Sequence, residues 1–162
     1  YVDAGGSETF VQRLGSRPDE YKKCSLLVID GVWEHGTTGR PDLEKTGLQY
    51  GVSFINHNRI AVTESMIAST YTPTHADVLN VRAAMEYIQP WMGERYFSTY
   101  AAMSAINDGS GPDLAAVANG FIPPSVTSDT IHPNATVGAP AYATSLVASM
   151  TSLGWLASGQ WR

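Results

Sequence analysis

Asp129 and His132 stand three residues apart in Ser128-Asp129-Thr130-Ile131-His132-Pro133-Asn134. On a loop, a carboxylate and an imidazole at that spacing can meet across a tight turn. The carboxylate then accepts from one ring nitrogen and fixes the tautomer. The other nitrogen is left to take a proton from a hydroxyl, which is the acid–base half of a Ser-His-Asp triad. Pro133 stiffens the chain just after the imidazole. The bare pattern also describes a surface Asp capping a turn beside an unrelated His, and spacing alone does not choose between the two.

Other chemistry-bearing residues are more dispersed. His35, His57 and His75 are scattered, and neither Glu34-His35 nor Asn56-His57-Asn58 has the clustered ligands of a metal site, so no metal is expected. His75 reads more simply as a first-turn residue of a helix. Cys24 is the single cysteine, which leaves no internal disulfide. No Walker-type loop or G-x-G-x-x-G occurs, so no nucleotide or other cofactor is expected. Asn134-Ala135-Thr136 is a formal glycosylation sequon, but Asn134 belongs to the His-Pro-Asn turn, and a turn role is expected for it. Ser7 follows Gly5-Gly6 and reads as a helix cap. Ser65, in Thr63-Glu64-Ser65 after a strand-like run, loosely imitates a nucleophile turn.

These residues need a scaffold. The 162 residues and 43% apolar content fit one domain over 1–162 with a sizeable core. The net charge of -5 and the lack of a Lys/Arg block argue against a nucleic-acid partner. Apolar runs are too short for a membrane span. Four Trp and eight Tyr supply core, and some could form a sugar-stacking surface. Ser25-Leu26-Leu27-Val28-Ile29 is a short continuous apolar run, as in a strand buried on both faces. Residues 36–73 look like an excursion or active-site rim around a possible strand, Arg59-Ile60-Ala61-Val62. Thr74 opens a helix with Asp77 as capping pair, Val78, Val81, Met85 and Ile88 share its inner stripe, and Pro90 ends it. Residues 95–103 read as a strand, 113–118 as a short helix and 125–134 as a polar loop. A last helix over 138–153 carries Tyr142, Leu146, Met150 and Leu153 on one stripe. The alternation predicts an α/β layered fold.

Asp-x-x-His-Pro-Asn, followed by Gly138 and an Ala-rich amphipathic helix, resembles the last block of the SGNH (GDSL-like) hydrolase family. Ala4-Gly5-Gly6-Ser7 ahead of the first strand looks like the family's second block, and Gly31-Val32-Trp33-Glu34 falls where the third block stands. The resemblance spans nearly the whole chain, and its last block is the close match. It implies a three-layer α/β/α flavodoxin-like fold with a mostly parallel sheet. It implies a carboxylic ester hydrolase, with an O-acetyl group on a carbohydrate as the expected substrate. His132 would act as base and then acid, Asp129 would orient it, and Gly6 N–H would help hold the oxyanion.

Two departures stand out. Trp33 and Glu34 replace the Asn and Asp of the third block, and that Asn normally donates to the oxyanion. The first block, a strand ending in Gly-Asp-Ser that supplies the nucleophile, has no counterpart here. In the strand order 2-1-3-4-5 that first strand lies inside the sheet, so a preceding segment or another chain is expected to fill its slot. A nucleophile at Ser65 would require a rearranged block order. Trp33 would line the pocket near His132 or pack under the sheet. An indole there also suits a non-catalytic glycan-binding or structural domain of the same ancestry, for example in a phage tail fibre or spike. Either role implies an extracellular or virion-associated protein, with homo-oligomers compatible.

Overall fold

The computed structural model describes residues 27–29 and 59–156. The elements are β1 (Leu27–Ile29), β2 (Ile60–Thr63), α1 (Ala76–Met92), β3 (Tyr96–Phe97), α2 (Tyr100–Ala105), α3 (Gly111–Ala118) and α4 (Gly138–Ser152), with single 3-10 turns at Gly93–Arg95 and Pro124–Val126. The fold is mixed α/β with a parallel sheet in the order β1-β2-β3. Leu27 pairs with Ile60, Ile29 with Val62, and Val62 in turn with Tyr96. β2 is thus paired on both sides, and all four of its residues are buried. Its run Ile-Ala-Val-Thr has no solvent face to serve, which is why it lacks the polar alternation of an exposed strand.

The side chains of β2 alternate between two apolar clusters. Val62 joins Val78, Val81, Ala84, Ile88 and Met92 of α1, with Ala116 of α3 and Phe121. Ala61 joins Phe97 and Trp155 on the other side, where Leu146, Met150 and Leu153 of the α4 segment pack. A third cluster, Met103, Ile122 and Val126, is covered by Met66, Tyr100, Ala141 and Tyr142. Ile60 to Thr63, Ile67 and Ala68 all lie in the core, although they belong to the 36–73 stretch expected at a rim. Residues 36–58 of that stretch lie outside the described residues. So does the slot expected near Tyr1 and Leu26.

Three boundaries differ from the sequence expectation. The cap of α1 is His75, whose Nδ1 accepts the Asp77 N–H at 3.3 Å, and not Thr74. Pro90 does not end α1, which runs on to Met92 and stops at Gly93 with φ 56°. A proline removes one backbone donor and crowds the preceding turn. Here that defect falls in the last turn, where Met92 is buried at 2% exposure and Trp91 packs against the first cluster. The strand expected over 95–103 covers only Tyr96–Phe97, and Tyr100–Ala105 is helical. The aromatic content suggested a strand, but Ala101, Ala102 and Met103 are strong helix formers. Glu64 Oε2 accepts the Tyr100 N–H at 3.0 Å and satisfies an otherwise orphaned donor of the first turn.

Helix α3 begins at Gly111, two residues earlier than the expected 113, because Ser110 caps it through an Oγ that accepts the Asp113 N–H at 3.4 Å. Helix α4 starts at the expected Gly138. No helix among the described residues is long and apolar enough to cross a membrane.

Candidate active site

Helix α4 decides where the Asp129–His132 loop stands. Tyr142, early in α4, donates its hydroxyl to Thr63 Oγ1 at 3.2 Å, at the last residue of β2. Ser145 Oγ donates to Ser98 O at 3.1 Å, just past the end of β3. Further along, Leu146, Met150 and Leu153 reach the cluster that contains Ala61, a residue within β2. The helix therefore runs back along the sheet from the carboxyl ends of the strands. The loop that feeds its N-terminus lies at that same edge, where parallel α/β sheets bind ligands.

Locally the loop is a narrow hairpin. Thr127 and Pro133 form an antiparallel bridge. Ser128 donates to His132 O at 2.8 Å from its N–H and at 3.2 Å from its hydroxyl. At the tip, Asp129 Oδ1 accepts the backbone N–H of Ile131 at 3.2 Å and that of His132 at 2.8 Å. Thr130 takes a positive φ of 76°, a left-handed conformation unusual for a β-branched residue. That turn swings the His132 ring back over the carboxylate, and Nδ1 lies 2.7 Å from Asp129 Oδ2.

These bonds hold the Asp129 carboxyl in its ionised form. The His132 backbone N–H and then the His132 ring bond the ionised carboxylate and lower the Asp129 pKa to about 2, against the opposing effect of desolvation and with a lesser contribution from the Ile131 N–H. An ionised carboxylate can only accept, so the Nδ1–Oδ2 contact places a proton on Nδ1. No described residue hydrogen-bonds Nε2. The side chains of His132 and Asp129 are 74% and 57% exposed, so the ring is open to an incoming group.

The hairpin is anchored through Asn134. Its N–H donates to Val126 O at 2.9 Å, and its Nδ2 donates to Ser125 O at 2.7 Å. Its Oδ1 accepts the N–H groups of Thr136, Val137 and Gly138, so it braces the turn into α4 and meets the first N–H of the helix. With Nδ2 donated to Ser125 O, the turn role expected for Asn134 is observed. Gly138 has no room for a side chain, since a Cβ there would overlap the Val126 carbonyl oxygen and press on Pro133.

Of the residues singled out from sequence, Asp129 and His132 are brought together. Gly6, Ser7, Trp33 and Glu34 lie outside the described residues. Ser65 is buried at 5% exposure, while His132 projects outward. Among the described residues no cluster of three or more metal-binding side chains occurs.

Two contributors were missed. Glu64, at the end of β2, accepts from the Ser98 hydroxyl at 2.7 Å and from the Tyr100 N–H, tying two strand ends together. Asp113 is buried at 1% exposure behind the hairpin. The spacing Ser110-x-x-Asp113 is a capping-box signal that could have marked the helix start. No family model, curated protein or solved structure matches this chain.

Proposed function

We propose that the chain is an SGNH-type ester hydrolase domain in which His132 and Asp129 form the acid–base half of a Ser-His-Asp triad. The observation that carries this reading is the 2.7 Å contact between His132 Nδ1 and Asp129 Oδ2, on an exposed hairpin at the carboxyl edge of a parallel sheet. A carboxylate used only to cap the turn would need its Oδ1 bonds to Ile131 and His132 and nothing from the ring. Strand order supports the same reading. In the flavodoxin-like plan the last three strands lie side by side in chain order, as β1, β2 and β3 do. The packing of α1 and α4 on opposite sides of β2 fits a three-layer α/β/α arrangement.

The reaction is acyl transfer. A nucleophilic serine, as in the family's first block, gives its proton to His132 Nε2 and attacks the ester carbonyl. The imidazolium stays paired with Asp129 and returns the proton to the leaving alcohol. Water repeats the sequence to release the acid. The exposure of His132 suits an acyl group on a large polymer, and an O-acetylated carbohydrate outside the cell or on a virion is the proposed substrate. The test is turnover of a chromogenic acetyl ester and of O-acetylated glycans by the protein. Turnover that disappears in His132→Ala supports the reading. Glycan binding without turnover gives the case to a non-catalytic domain of the same ancestry.

A further inference from the structure

We infer that Asp113 is a positioning residue, which sets the stance of the Asp129–His132 hairpin through Ser125 and Asn134. The hairpin tip is exposed, so packing cannot hold it; its orientation depends on hydrogen bonds at its base. On one side of that base, Asp113 Oδ1 accepts the Ser125 N–H at 3.0 Å and Oδ2 accepts the Ser125 hydroxyl at 2.5 Å. Ser125 passes the link on, since its carbonyl accepts from Asn134 Nδ2 at 2.7 Å. Asn134 follows His132 by two residues, and its Oδ1 accepts the first N–H of α4, that of Gly138. A continuous chain of bonds thus runs from α3, through both ends of the hairpin, to the helix behind it.

The geometry of α3 explains why this carboxylate is free for the task. An acid at the third helical position ordinarily reaches back to the N–H of its own cap residue. Here the Ser110 N–H is already taken by Asp108 Oδ1 at 2.8 Å. Asp113 bonds the Asp108 N–H at 2.8 Å instead and turns its remaining capacity to Ser125. A carboxylate this buried is costly unless its lone pairs are met. Burial pushes its pKa up, but the bonds from Ser125 and Asp108 outweigh that and hold it below the ordinary value. A buried acid whose bonds reach across to the neck of the hairpin does more than start a helix.

The turnover arm of the test rests on the proposed esterase reading, whereas the spectroscopic arm does not. Asp113→Asn and Ser125→Ala are compared with the parent chain by amide hydrogen exchange and by carbon-detected titration of the Asp129 carboxyl. Losing one partner from a buried polar pair should speed exchange at Ile131 and His132 roughly tenfold, with β2 unchanged. The Asp129 midpoint should rise from about 2 toward the ordinary carboxylate range as its N–H donors loosen. In the ester assay kcat should fall while KM holds. Unchanged hairpin exchange and an unchanged Asp129 midpoint in both variants overturn the inference. So does joint loss of protection in the hairpin and β2 in both, which would make Asp113 a general core residue. A parent without ester turnover sinks the esterase reading and leaves the exchange and titration results to judge Asp113.

Discussion

Both oxygens of Asp129 are bonded to a single residue, Oδ1 accepting the His132 backbone N–H at 2.8 Å and Oδ2 facing the His132 ring at 2.7 Å. Main chain and side chain of His132 are therefore locked to one carboxylate. The ring can neither flip nor swing without breaking the Nδ1–Oδ2 contact, and no described residue hydrogen-bonds Nε2.

His132→Ala should abolish ester turnover, because it removes the base that takes the serine proton. The residue is exposed, so stability should change by no more than about 0.5 kcal/mol. Turnover and the urea midpoint, measured on the same preparation, check both halves. Parent-like turnover in this variant would rule out the triad.

Asp129→Asn keeps the shape of the turn and the backbone acceptor but offers the ring an amide. The wrong tautomer becomes accessible, and turnover should drop by about 10⁴-fold, as in the serine-protease precedent. Glycan binding should persist. Nitrogen chemical shifts of the His132 ring would report the loss of the Nδ1–H tautomer directly.

The hairpin should be acid-sensitive in a defined window. The folded pKa of Asp129, about 2, lies below the ordinary value of about 3.9, so folding favours the ionised form. Its contribution to hairpin order is complete above about pH 4 and is lost as pH falls through about 2. Exchange at the Ile131 and His132 amides should therefore quicken across that interval. A flat profile would mean that the carboxylate bonds do not hold the tip.

Gly138→Ala should destabilise the protein by about 1–3 kcal/mol, through overlap with the Val126 carbonyl oxygen and Pro133. Helix propensity alone predicts the opposite sign, since Ala exceeds Gly in a helix by about 1 kcal/mol. Denaturant unfolding decides which effect wins.

Asn134→Ala removes the acceptor for the N–H groups of Thr136, Val137 and Gly138 in the turn that leads into α4, and should cost about 1–2 kcal/mol. Asn134→Asp keeps that acceptor but loses the donor to Ser125 O, and should lie between the parent and the alanine variant. Equal stability of all three would remove the anchoring role.

The sequence alone was enough for several elements, and for a physical reason. β2 is readable because a run of β-branched and small apolar residues has only one buried use, and α4 because Gly138 and a clean apolar stripe mark it. The Asp129–His132 contact was legible because a three-residue spacing confines both side chains to one turn. What the sequence left open depended on partners far along the chain. The helix at Tyr100–Ala105 was hidden because its first N–H is met by Glu64, 36 residues earlier. Pro90 stays inside α1 because packing of Trp91 and Met92 outweighs a lost bond in the last turn. The sequence marks Asp113 only as the start of a short helix, and its bonds to Ser125, twelve residues later, depend on the tertiary structure. The tertiary structure also decided the edge of the sheet at which the hairpin stands, because the direction of α4 is set by contacts of Tyr142 and Ser145 with the ends of β2 and β3, and local spacing carries no record of such contacts.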